Sequence, residues 1–185
     1  MNANGTNPHP IGLGPDLAGA NEAQRKVVDV IASGPRGAVP SPFLAMLDIP
    51  ELALAIQEVG ARLRFASTLP DDQREIAILA TGSAMECGYE WNFHAPIAVD
   101  AGVDAATIAA TRSGDTAGLT EPAATIIALC REVVESGMAS PTRLGRAVDL
   151  LGRTGASELV AIAGYYSLLA NFIRSANFDL EFQPL

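Results

Sequence analysis

The chain has 185 residues, room for one domain with a sizeable core or for two small repeats sharing one. Hydrophobic residues make up 49% and aromatics only 5%, which favours packed helices and leaves few of the β-branched and aromatic runs that strands need. A formal charge of −9, from 12 basic and 21 acidic residues with no Lys/Arg cluster, argues against nucleic-acid binding.

Residues 1–20 are rich in Gly, Pro and Asn and read as a flexible or surface-draped arm. They lack the basic and apolar regions of a signal peptide, and the two cysteines, Cys87 and Cys130, make no CxxC pair. Both features favour a cytoplasmic protein. Residues 21–185 are expected to form a single domain. Helical patterning begins at "NEAQRKVVDVIAS" and stops at Gly34-Pro35, and "GPRGAVPSPF" reads as a connector. Pro50 opens an amphipathic helix with Leu52, Ile56, Val59 and Leu63 on its apolar face. Pro70-Asp71-Asp72 opens a long helix expected to run to about His94, where Pro96 kinks it or starts the next one. A short helix follows in "VDAATIAATR", and another in "TEPAATIIALCREVVESG" with Gly137 as its stop. "SPTRLGRAVDLLGRTG" and "ASELVAIAGYYSLLANFIRSANF" complete an all-α set of seven or eight helices. The apolar runs are interrupted by Gly, Ser, Arg or Asn before they reach membrane-spanning length, so no membrane partner is expected. An internal echo lays "REIAILATGSAMECGYEWNFH" over "SELVAIAGYYSLLANFIRSANF", with Glu75 on Glu158, Cys87 on Ala170, Glu90 on Ile173 and His94 on Asn177. It suggests two degenerate helical repeats, the second without the chemistry.

That chemistry is concentrated in "MECGYEWNFH", residues 85–94. At about 100° per residue, Glu90 falls about 60° and His94 about 20° from Cys87, so the three share one stripe. Glu86 flanks the stripe, and Tyr89 and Trp91 point to either side. Glu75 lies three turns earlier and about 120° away on a straight helix. It joins the others only if Gly82-Ser83 bends the helix or packing closes the gap. A carboxylate beside an imidazole orients the ring and raises its pKa, which makes a proton shuttle. A thiol beside them is a nucleophile or peroxide reductant only if its pKa is lowered, and the charge of Glu90 opposes that. Glu-x3-His spacing can also hold a metal, yet the only other histidine is His9, so no metal and no other cofactor is expected. Without a function, the same residues read as a buried thiol, a helical Glu–His pair, core aromatics and a Glu75–Arg74 ion pair.

At these residues the chain resembles the carboxymuconolactone decarboxylase / alkylhydroperoxidase D-like superfamily. The peroxidase branch carries Glu-x11-Cys-x2-Cys-x3-His. Here Glu75, Cys87, Glu90 and His94 stand at those spacings, with Glu90 in place of the second cysteine. The stretch "LPDDQREIAILATGSAMECGYEWNFHAPIAVDAGV" is similar to the family core throughout, and the likeness covers roughly residues 35–180, strongest over 69–112. It implies an alkylhydroperoxidase D-like helical fold, a homo-oligomer (trimer, hexamer or dimer) and a pocket near a subunit contact. The missing second cysteine speaks against a dithiol peroxidase cycle. The decarboxylase branch works without cofactor or catalytic thiol. The expected function is therefore a cofactor-independent acid/base enzyme acting on a small carbonyl or lactone acid, by decarboxylation or related proton-transfer lyase chemistry. His94 would be the acid/base, Glu90 and Glu75 its partners, and Cys87 a pocket residue. Tyr89, Trp91 and Arg74 would contact substrate, and Arg62, Arg64 and Arg74 are candidates for receiving negative charge. One alternative is a single-cysteine alkylhydroperoxidase- or peroxiredoxin-like antioxidant or redox sensor using Cys87. Another is a non-catalytic oligomeric binding protein.

Overall fold

The computed structural model describes residues 9–184. Among them the regular elements are eight helices and no strand, so the all-α expectation holds. They are α1 (Glu22–Ser33), α2 (Ser41–Leu44), α3 (Pro50–Phe65), α4 (Asp71–Ala84), α5 (Gly88–Asp100), α6 (Ala105–Ser113), α7 (Glu121–Ser136) and α8 (Pro141–Ser175). The chain packs as two compact units.

One unit comprises the described residues up to Phe65 together with Asn171–Asp179. A capping box starts α1: the Asn21 side chain accepts from the Gln24 N–H, and the Gln24 side chain accepts from the Asn21 N–H. α1 packs against α3 and buries Val27 and Ile31. The stretch read as a connector ends in the short helix α2. Pro42 sits in its first turn, where a missing N–H costs nothing, and Phe43 and Leu44 are buried. Of the expected arm, residues 1–8 lie outside the described residues. Residues 9–20 form no helix, but the chain is tied down there. Gly12 N–H donates to Asp48 Oδ2 at 2.8 Å, Leu13 N–H donates to the Leu44 carbonyl at 3.0 Å, and His9 Nδ1 bonds the Ala176 carbonyl at 2.7 Å. Gly12 has φ +74°, and a Cβ there would collide with the Leu44 carbonyl, so the position demands glycine.

The other unit comprises Ala66–Ala170 and the described residues from Leu180. α4 is its core. Glu75 to Ser83 are all buried, with α5, α6 and α7 packed around them. A helix so enclosed shows little amphipathic pattern, because no face is left to water. α6 starts at Asp104, whose carboxylate accepts from the Thr107 N–H at 2.9 Å, and α7 stops at Gly137 in the left-handed conformation, as the sequence predicts. The two final helices run end to end as α8, with a non-helical step at Gly152. By length and composition α8 is apolar enough to cross a membrane, because a window of mean hydropathy 1.3 runs through the polar interruptions; half of that window is buried inside the protein.

The helix expected from Asp71 to about His94 is two helices. α4 ends at Ala84 and Glu86 turns left-handed, with φ 52°. The Cys87 N–H then donates to the Gly82 carbonyl at 2.9 Å and the Glu86 N–H to the Ser83 carbonyl at 3.0 Å, the paired closure that glycine usually makes at a helix end. The chain reverses and α5 packs back on α4; Pro96 lies inside α5. The internal echo has no counterpart to this reversal, since α8 continues through Ala170 to Ser175.

Glu158 of α8 anchors the turn that leads into α4. Its carboxylate accepts from the Ser67 hydroxyl at 2.7 Å, the Thr68 N–H at 2.9 Å and hydroxyl at 3.0 Å, and the Leu69 N–H at 3.3 Å. Burial acts to raise this carboxyl, but the Ser67, Thr68 and Leu69 hydrogen bonds outweigh it and hold the group below its usual range. A carboxyl lowered in the fold stabilises fully above its unfolded value of about 4.3 and stops stabilising as pH falls through the folded value. Glu158→Gln is therefore expected to lower Tm at pH 7, with the two melting curves converging as the pH drops below the carboxylate range.

Candidate active site

Three of the residues singled out by spacing meet where α5 lies on α4. Glu75 projects from the first half of α4, and Glu90 and His94 stand one turn apart on α5. His94 Nδ1 is 2.7 Å from Glu75 Oε2, a strong hydrogen bond in a site where Glu75 is 0%, His94 2% and Glu90 3% exposed. On its other side, His94 Nε2 is 3.7 Å from Glu90 Oε2, close enough for charge attraction and longer than a hydrogen bond. Arg74 completes the line. Its Nε and Nη2 donate to Glu75 Oε1 at 3.4 and 3.5 Å, and its Nη1 pairs with Asp71 at 2.7 Å. Acidic and basic side chains thus alternate from Asp71 through Arg74, Glu75 and His94 to Glu90, so that each buried polar group faces a partner of the other kind.

The geometry depends on Gly82. A Cβ there would stand 3.0 Å from the Glu90 Cβ, so the missing side chain lets α5 approach α4 closely enough for His94 to reach Glu75. The gap that the sequence left between Glu75 and the stripe is closed by a reversal and packing, not by a bend. Cys87 is fully buried and occupies the N-cap of α5, with its carbonyl accepting from the Trp91 N–H at 3.3 Å.

The expected substrate contacts are spread out. Arg74 is engaged with Glu75 and Asp71. Trp91 is buried and its indole N–H donates to the Gln183 carbonyl at 3.2 Å. Tyr89 is half-buried and stacks on Phe93 with ring centroids 6.2 Å apart. Arg62 and Arg64 lie on α3, in the other compact unit. Sequence spacing missed Tyr166 of α8, which is 1% exposed and sets its ring edge-on to His94 at 5.3 Å. Only the "GYYSLL" apolar pattern hinted at a buried aromatic there, and nothing local in the sequence aims it at His94.

Cys130 stands on a different helix from Cys87. It is buried in α7, and burial pushes its thiol up to about 12 despite a hydrogen bond with Thr81. Among the described residues, no group of three or more His, Cys, Asp and Glu is arranged to hold a metal ion.

Gly82→Ala is expected to push α5 off α4, lowering stability by about 1–3 kcal/mol through overpacking and shifting the His94 ring resonances in an NMR spectrum. Gly164→Ala, at an exposed α8 position where a Cβ meets nothing within 4 Å, is the matched control and should stabilise by about 0.5–1 kcal/mol.

The chain matches the sequence model of the Carboxymuconolactone decarboxylase family over residues 50–129, a stretch that holds Glu75, Cys87, Glu90 and His94. No curated protein and no solved structure matches it. Over that stretch the chain is similar to the carboxymuconolactone decarboxylase family, and the helices there belong to an all-helical fold.

Proposed function

We propose that this chain is a cofactor-independent acid/base enzyme acting on a small carbonyl or lactone acid, by decarboxylation or a related proton-transfer lyase step. The observation that carries the reading is the buried His94 ring, held at Nδ1 by Glu75 and faced at Nε2 by Glu90. With Glu75 ionised, Nδ1 carries the proton that the 2.7 Å bond needs, so Nε2 becomes the proton-exchanging atom of the ring. Glu75, anchored by Arg74, fixes the tautomer and the ring plane. Glu90 lies within reach of the proton that Nε2 gains or gives. Loss of carbon dioxide leaves an electron pair on the substrate carbon framework; Nε2, having first taken up a proton to give the imidazolium, passes it to that carbon and the ring returns to neutral. Tyr166 and the apolar shell keep water away from that exchange.

A homo-oligomer, with the site close to a subunit contact, is part of the same proposal. Phe93 and Val99 of the His94-bearing helix support it, since they are 40% and 52% exposed.

A single-cysteine peroxide-reducing or redox-sensing protein is the second reading. It is favoured by Cys87 standing at the N-cap of α5, where the helix dipole stabilises a thiolate. In that chemistry the thiolate takes oxygen from the peroxide and releases an alcohol, and an external thiol then reduces the sulfenic acid.

Lactone acids and keto acids are to be screened for carbon dioxide release and solvent deuterium uptake. His94→Gln and Glu75→Gln should each lower kcat by about 100- to 10,000-fold. Undiminished turnover in His94→Gln would refute the acid/base role. Rapid trapping of a Cys87 sulfenic acid at low hydroperoxide, abolished in Cys87→Ser, would move the assignment to the redox reading.

A further inference from the structure

The chain from Leu180 to Pro184 has no regular structure and lies along α5 as a strap. Asn92 grips its main chain at two points: Nδ2 donates to the Glu181 carbonyl at 2.8 Å, and Oδ1 accepts from the Gln183 N–H at 2.8 Å. The Trp91 indole holds the Gln183 carbonyl. The Phe182 ring sits 6.1 Å from that of Trp91, and the Arg112 guanidinium of α6 lies 4.0 Å over Phe182. The Leu180 carbonyl rests directly on Gly88, where a Cβ would collide with it.

What lies under the strap is closed and what forms it is open. Cys87, next to Gly88, is 0% exposed and Trp91 4%, whereas Leu180 is 54% exposed and Glu181, Gln183 and Pro184 are exposed as well. A segment without regular structure that leaves most of its residues exposed, and whose grip includes the Asn92 and Trp91 hydrogen bonds and the Trp91 and Arg112 contacts to Phe182, opens more readily than the helix beneath it. Its end also walls a cavity of 530 Å³, shared with Trp91, Ala109, Arg112 and Ser113. The Glu75–His94–Glu90 cluster is buried, so a substrate needs a way in.

We propose that the C-terminal strap is a removable cover over the first turns of α5, and that its release opens a route from the cavity beside Trp91 towards the buried cluster. The need for a route rests on the acid/base reading; the release of the strap does not.

The test is alkylation by iodoacetamide of the native protein, with Cys87 and Cys130 followed separately by peptide mass mapping. Phe182→Ala and Asn92→Ala loosen the grip from one side, and Gly88→Ala displaces the Leu180 carbonyl from the other. Each is expected to speed modification of Cys87 by about tenfold or more while Cys130, inside α7, stays at the parental rate. A Cys87 rate unchanged in all three variants would overturn the cover. A parallel rise at Cys130 would overturn it too, because it would mean general unfolding. A Cys87 that opens in protein inactive on every lactone and keto acid would sink the acid/base reading and leave the cover standing.

Discussion

Gly82 has no side chain, and that absence sets how closely two helices meet. A Cβ there would stand 3.0 Å from the Glu90 Cβ, so any other residue would hold α5 farther from α4. The chain arrives at this contact through the left-handed step at Glu86, which ends α4 and returns the backbone along its own flank. A straight continuation of α4 would carry His94 well away from Glu75, at 1.5 Å of rise per residue. Reversal and close approach together bring the imidazole within 2.7 Å of the carboxylate.

The same closeness creates an electrostatic demand. Two carboxylates and an imidazole are almost fully excluded from water. Such groups are tolerated only in partnership, and breaking a buried ionic pair by removing one member costs about 3–5 kcal/mol. The alternation of acidic and basic side chains from Asp71 to Glu90 meets that demand, with Arg74 between Asp71 and Glu75. Site and core are therefore one object: the residues proposed to move protons also hold α5 on α4. The two cysteines show how position alone divides a residue type. Cys130 is inside α7 with its thiol pushed up to about 12, and Cys87 stands at the N-cap of α5.

Regions distant in sequence finish the site. α8 reaches it twice, through Glu158, which braces the turn into α4, and through Tyr166, which closes the edge of the His94 ring. The segment after α8 returns to lie on α5, gripped through its backbone by Asn92 and Trp91. One helix, α5, thus carries His94 and Glu90 of the buried cluster and also holds the C-terminal strap.

Much of this was legible in the sequence. The composition and the 3.6-residue periodicity identify an all-α chain, and Pro50 and Gly137 mark helix ends because caps and stops act within one turn. The i,i+4 spacing of Glu90 and His94 needs only the geometry of one helix, so their pairing follows from the sequence alone. The break at Met85–Cys87 did not follow, because Glu86 carries no glycine to announce a left-handed residue and the polar pattern continues across it. The bond between Glu75 and His94, the edge-on Tyr166 and the strap over Gly88 were decided by tertiary structure. Each depends on which helix faces which and at what distance. That is settled by packing among side chains far apart in the chain, and no local spacing encodes it.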